Sequence, residues 1–142
     1  MEKSSYAFVL DMKVRDYECD LQGIVNNGVY MNYLEHCRHE YMNTLGINFS
    51  AYAKQGINFV VVRAELDYKF SLTSGDRFYI AITMFREKKI KIVFQQDIYR
   101  SSDDKPIMKA RIIATALNEK GRPRIPDEVI AILDTLPTPQ SA

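Results

Sequence analysis

The sequence predicts an α+β domain in which one long antiparallel sheet of about five strands packs on a single long helix. Three observations predict it. A segment of period two comes first, one segment of period 3.6 follows, and from residue 57 onward the period returns to two and holds through several turn signals. The length of 142 residues and the hydrophobic share of 46% suit one core in one domain, assigned to residues 1–136, with 137–142 as a tail.

The elements follow in order. Phe8, Leu10, Met12 and Val14 alternate with Val9, Asp11, Lys13 and Arg15, the pattern of a half-buried strand. After a loop containing Gly23, Tyr30, Tyr33, Leu34, Cys37, Tyr41 and Leu45 recur at helical spacing, while Glu35, Arg38, His39 and Asn43 fall elsewhere. A helix over 27–45 is expected, capped by Asn26 or Asn27 and stopped by Gly46. Val60, Val62, Ala64, Leu66, Tyr68 and Phe70 then mark an unusually long strand. Ser74-Gly75-Asp76 turns the chain into a strand with Phe78, Ile80, Ile82 and Met84 on one face. A second turn near 87–89 leads to a strand with Ile90, Ile92, Phe94 and Ile98, and 101–105 turns again. The last strand, 106–118, is apolar on both faces, as an interior strand would be. Residues 127–136 could close the domain as a short helix before Pro137.

Composition excludes several functions. Nineteen Lys and Arg against eighteen Asp and Glu leave a net charge of +1, so a nucleic-acid surface is not expected. No apolar run approaches the roughly 18–20 residues of a spanning helix, so membrane insertion is not expected either. Met1 to Ser5 lead into a short run cut off by Asp11, unlike a secretory signal, and the cytoplasm is the expected address. There Cys19 and Cys37 are expected as free thiols.

Most chemical motifs are weak. Ser102 and Lys105 satisfy S-x-x-K but sit in an Asp-rich turn. His36 and His39 could share one face of the helix, yet no third or fourth ligand is evident, so no metal is expected. Arg86, Lys88, Lys89 and Lys91 form a basic cluster at a hairpin, usually a solvated turn and otherwise a place to meet a phosphate.

The segment Val14 to Arg38, VRDYECDLQGIVNNGVYMNYLEHCR, carries more information. Asp20 lies in a loop just before a helix whose first N–H groups lack intrahelical partners and carry the positive end of the macrodipole. Such a terminus suits a developing oxyanion, and Gly23 and Gly28 would let the chain fold tightly around it. A carboxylate and an oxyanion site together suffice for acyl transfer. On spacing alone a structural reading is preferred, with Asp20 stabilising the loop and the asparagines only capping the helix.

At these residues the sequence resembles the hot-dog-fold acyl-CoA thioesterases, in the branch of 4-hydroxybenzoyl-CoA thioesterase and the Tol-Pal-associated acyl-CoA thioesterases. Val25-Asn26-Asn27 and Tyr30 are also similar to the V-N-N-x-x-Y segment of plant-type acyl-ACP thioesterases. The similarity continues through Val60 to Glu65, Asp67-Tyr68, Gly75-Asp76 and Ile125-Pro126. This resemblance implies a hot-dog fold and makes Asp20 the catalytic carboxylate, nucleophile or general base. Asn27 occupies a position where relatives carry His or Asn, and the backbone N–H of Asn27 or Gly28 would polarise the thioester carbonyl. It further implies a homodimer or homotetramer with the site at the dimer interface, where Tyr30, Val61, Val62 and Arg63 would contact substrate. No cofactor is implied. Ile24 and Gln22 replace a His and an Asn of the acyl-ACP enzymes, and Ser71 replaces a proline common after Asp67-Tyr68. Val25 stands where hot-dog hydratases carry a His, which disfavours dehydration.

The expected function is therefore hydrolysis of an acyl-CoA or acyl-carrier-protein thioester to free acid and thiol. A non-hydrolytic acyl-CoA-binding module on the same fold is the alternative. A lipocalin-like barrel would suit the nine tyrosines and seven phenylalanines, but it needs about eight strands, and here a long helix follows the first strand.

Overall fold

The computed structural model describes residues 7–137; Met1 to Tyr6 and, beyond Pro137, the expected tail lie outside the described residues. In chain order the elements are β1 (Phe8–Lys13), α1 (Asn27–Thr44), α2 (Phe49–Lys54), β2 (Asn58–Tyr68), β3 (Arg77–Glu87), β4 (Lys91–Arg100), β5 (Lys105–Leu117) and α3 (Asp127–Leu133). The strands form one antiparallel sheet in the order β1-β3-β4-β5-β2, with α1 packed on one face in the expected hot-dog arrangement.

Pairing register puts alternate residues on the helix side. Ile80 stands opposite Leu10 and Ile98, and Ile98 opposite Met108. Phe78, Ile80, Ile82 and Met84 of β3 are fully buried, as their alternation predicts. They meet Tyr30, Tyr33, Leu34, Cys37, Tyr41 and Met42 of α1 in one apolar core. The Tyr33 and Phe78 rings lie 4.8 Å apart, and Phe8 of β1 stacks on Tyr41 at 5.4 Å. β5 is interior and buried on both faces, also as its composition predicts.

Four details differ from the sequence expectation. The helix α2 was not anticipated; it is only six residues long, too short to show a 3.6-residue period, and Asn48 starts it by accepting the Ala51 N–H at 3.1 Å. Ile90 belongs to the β3–β4 turn and is exposed, because Lys88 and Lys89 adopt positive φ and delay the start of β4. α3 ends at Leu133, and the chain continues to Leu136 only as a turn. Most consequential, Arg38 is buried, 6% exposed, although it lies off the apolar stripe of α1. Gln96, fully buried in β4, accepts its Nη1–H at 3.1 Å and donates Nε2–H to the Leu34 carbonyl at 2.9 Å.

Among the described residues β2 pairs only with β5, which leaves its other edge open. A bulge between Val61 and Arg63 breaks its register, and Val61 and Val62 are about half exposed at 46% and 55%. Among the described residues no helix is long and apolar enough to cross a membrane.

Leu34 is the centre of the helix–sheet contact, fully buried and adjoining the Gln96 hydrogen bond. Leu34→Ala should cost about 2–5 kcal/mol, the range for truncating a core leucine, read as a lowered urea midpoint with unchanged slope.

Candidate active site

The loop between β1 and α1 is built as a small closed hairpin. A turn of 3-10 helix at Asp16–Glu18 leads to a bridge between Cys19 and Val25. Inside that bridge the Asp20 N–H donates to the Ile24 carbonyl at 2.9 Å and the Gly23 N–H to the Asp20 carbonyl at 3.0 Å. Gly23 takes φ +80°, a conformation that side chains disfavour, which is why glycine turns the loop. Asp20 is exposed at the tip, and its Oδ1 accepts the Gln22 N–H at 2.8 Å.

Two tyrosines on α1 hold this loop. Tyr33 Oη donates to Glu18 Oε1 at 2.8 Å, and the same oxygen accepts the Arg15 N–H at 2.7 Å. Burial, together with the Glu18 carboxylate beside it, pushes the Tyr33 hydroxyl well above its ordinary range, so it stays a neutral donor. Tyr30 Oη accepts the Leu72 N–H at 3.0 Å, and the Leu72 carbonyl accepts the Val25 N–H at 2.9 Å. Sequence reasoning missed the Glu18–Tyr33 pair. Its only signal was a glutamate next to the Asp20 loop.

At the start of α1, Asn26 is the N-cap: its N–H donates to the Glu18 carbonyl at 3.0 Å and its Oδ1 accepts the Gly28 N–H at 3.1 Å. The Gly28 N–H is thus already occupied, whereas the Asn27 N–H has no acceptor among the described residues. Among the described residues a Cβ at Gly28 would meet only Asn26 Oδ1, at 3.7 Å, so packing against them does not demand a glycine there. Tyr68, at the end of β2, reaches this point: its hydroxyl lies 3.4 Å from the Asn27 carbonyl, and its ring meets the Tyr30 ring edge-on at 5.7 Å.

A cavity lies farther along α1. It has a volume of ≈ 480 Å³, within the range of small-molecule sites, and is lined by α1, α2, β2, the helix side of β4 and Ala114 of β5. Met42, Phe49, Phe59, Val61 and Ile92 make it largely apolar, and Glu35, Arg38 and His39 supply its charged and polar groups. Of the residues expected to contact substrate, Val61 lines this cavity. Val62 and Arg63 are exposed on β2, and Tyr30 is buried in the core, where it serves the loop.

The remaining candidates have ordinary structural surroundings. His36 is exposed and the His39 ring packs on Phe49 at 5.4 Å; among the described residues no three His, Cys, Asp or Glu side chains gather as a metal would need. Arg86 of the basic cluster is held by both Asp134 carboxylate oxygens at 2.9 and 3.1 Å. Lys105 lies over the Phe70 ring at 3.7 Å, and Ser102 is in the β4–β5 turn. Both cysteines are free; burial pushes the Cys37 thiol up to about 12, which leaves it unreactive at neutral pH.

Residues 14–133 match the family described as the thioesterase-like superfamily. Two chloroplastic acyl-acyl carrier protein thioesterases of Arabidopsis thaliana are 36% identical over 121 residues, covering 84% of this chain. The chain spans only 64% of their length. A solved structure of a hypothetical protein from Aquifex aeolicus superposes with a TM-score of 0.81 at 27% identity, covering 89% of this chain and 98% of that one. A 1,4-dihydroxy-2-naphthoyl-CoA thioesterase from Synechocystis superposes at 0.84 and 13% identity, covering 89% and 95%, a likeness of fold.

Tyr30→Phe should leave the buried Leu72 N–H without a partner. The expected cost is about 1–3 kcal/mol in urea unfolding, with faster hydrogen exchange at Leu72 and Val25. Unchanged exchange at both amides would show that Tyr30 does not hold the loop.

Proposed function

The chain belongs to the thioesterase-like superfamily, and on that footing we propose that it hydrolyses an acyl thioester of coenzyme A or acyl carrier protein to the free acid and the thiol. The observation that carries this reading is an exposed carboxylate, Asp20, in a loop tied by the Glu18 carbonyl to a helix start whose Asn27 N–H is unoccupied. The thioester carbonyl would accept the Asn27 N–H, which stabilises the oxyanion as the carbonyl carbon becomes tetrahedral. In the general-base route, Asp20 takes a proton from water as the water oxygen bonds the carbonyl carbon. The carbon–sulfur bond then breaks and the proton passes to the departing thiolate. In the nucleophilic route the Asp20 oxygen bonds the carbon, the thiolate leaves, and water cleaves the resulting anhydride. The Gly28 N–H assists only if Asn26 Oδ1 gives it up. A carboxylate and backbone dipoles supply this chemistry, and the scheme calls on no cofactor.

The likeness to the plant acyl-acyl carrier protein thioesterases supports a carrier-protein thioester beside the CoA ester as substrate. One observation favours the rival binding module. Asp20 Oδ1 already accepts the Gln22 N–H, as a purely loop-stabilising aspartate would.

The quaternary reading is a homodimer, or a tetramer built from two, joined along β2. The exposed large apolar residues Val61, Val62, Tyr68 and Phe70 lie on or just beyond that edge strand, and Tyr17 and Leu21 lie on the Asp20 loop. In such a pair Val62 and Arg63 would face the neighbouring protomer's site.

Asp20→Asn keeps the size and removes the charge, so kcat should fall by roughly a hundredfold or more while acyl-CoA still binds. Asn27→Ala should cost less, because the backbone N–H remains. The assay is free-thiol release from a panel of CoA and carrier-protein thioesters. Full activity in Asp20→Asn would reject the mechanism, and binding without hydrolysis by the parent would establish the rival. Light scattering should give two or four times the 16.4 kDa chain mass at micromolar concentration; a monomer mass would remove the interface site.

A further inference from the structure

We propose that Arg38 sets the specificity of this protein, selecting acyl groups that carry a hydrogen-bond-accepting oxygen, as hydroxyl or carboxylate, away from the thioester. That the ligand is an acyl group rests on the thioesterase reading; that the cavity wants an oxygen does not.

Arginine has five N–H donors in a planar fork and keeps its charge in proteins. Arg38 is 6% exposed, and one donor is used, by Gln96 Oε1, a neutral acceptor. Its guanidinium also lies 5.7 Å from the centre of the Phe94 ring. No carboxylate forms an ion pair with it among the described residues, although Glu35 lines the same cavity. The one fully enclosed side-chain N or O atom without a partner among the described residues is Tyr41 Oη. The unbonded Arg38 nitrogens are therefore not sealed in protein, and Arg38 is one of the residues that line the cavity. A buried cation with idle donors beside an apolar cavity is costly to maintain for structure alone. The same group discriminates strongly among ligands, because a site built to hydrogen-bond an oxygen rejects analogues lacking it far more sharply than an apolar wall rejects a wrong length.

The position fits a group distant from the reacting carbonyl. Arg38 is eleven residues along α1 from Asn27, about 16 Å at the helical rise of roughly 1.5 Å per residue. Met42, Phe49, Phe59 and Val61 would surround the hydrocarbon part of the acyl group while the guanidinium meets its oxygen.

The test compares binding of free acids, so that it does not depend on turnover. Calorimetry on the purified protein would use a straight-chain alkanoic acid, the ω-hydroxy acid and the α,ω-dicarboxylic acid of equal length, over medium and long chains. At least one oxygenated acid should bind about tenfold or more tightly than the plain one, the scale of a hydrogen bond to a charged group. Preference for the dicarboxylic acid alone would assign a carboxylate, and preference shared with the hydroxy acid a neutral oxygen. In Arg38→Met, which keeps an unbranched apolar stem and removes the guanidinium with its donors, the ratio should collapse toward one. If that variant does not fold by circular dichroism, Arg38→Lys, which keeps the charge without the fork, should narrow the ratio instead. Equal binding of all three acids by the parent, or a ratio unchanged in a folded Arg38 variant, would overturn the proposal. Parallel assay of the matching CoA thioesters separates the two readings. Selective acid binding without hydrolysis rejects the thioesterase and leaves Arg38 standing, whereas hydrolysis without selectivity rejects only the role of Arg38.

Discussion

A buried carboxylate must find donors or it destabilises the fold, and Glu18 imposes that constraint at the junction of β1, the Asp20 loop and α1. Its side chain takes the Tyr33 hydroxyl and the Arg15 N–H, while its carbonyl takes the Asn26 N–H. One residue thus fixes how the loop enters the helix, which helix turn lies beneath it, and where the N-cap stands. Tyr30 secures the opposite wall through Leu72 and Val25. The apolar packing of α1 on the sheet supplies the free energy that makes these bonds worth satisfying, since their donors and acceptors are buried only because the helix is docked.

Much of this was legible in the sequence because it is local. Period-two alternation in β3 and β4 and the helical spacing of Tyr30, Tyr33, Leu34, Cys37 and Tyr41 report which residues meet between helix and sheet, although Tyr79, Ala81 and Thr83 on the other face of β3 are buried as well. The Asp20 to Gly28 segment was legible for the same reason: the loop, its glycine and its cap are contiguous in the chain. The parts that were not legible depend on distant partners. Arg38 reads as a solvated position until Gln96, in another strand, is placed beneath it. Glu18 reads as a loop residue until Tyr33 is brought above it. Tyr30 also serves the backbone at Leu72, a role that no spacing encodes. The cavity needed α2, whose six residues carry too little periodicity to be recognised.

On the proposed function, two tasks are separated along one helix. The start of α1 gathers the groups suited to a carbonyl: an open backbone donor, an exposed carboxylate and a rigid support. Its later turns, with α2 and β2, gather the groups suited to the remainder of a ligand. On that proposal a substitution in the cavity alters what is accepted without touching the loop, because among the described residues none lines the cavity and also holds the Asp20 hairpin.

Gln96 has a consequence of another kind. Apolar faces alone let a helix rotate or slide on a sheet at little cost, since one well-packed arrangement of branched side chains resembles the next. A single amide from β4, bonded at once to the Leu34 carbonyl and the Arg38 guanidinium, removes that freedom, because any shift of α1 would strand polar atoms in the core. The helix is keyed in both azimuth and height by one side chain. A hydrocarbon of equal volume at this position could preserve stability while giving up the single docking angle on which the placement of Asn27 depends.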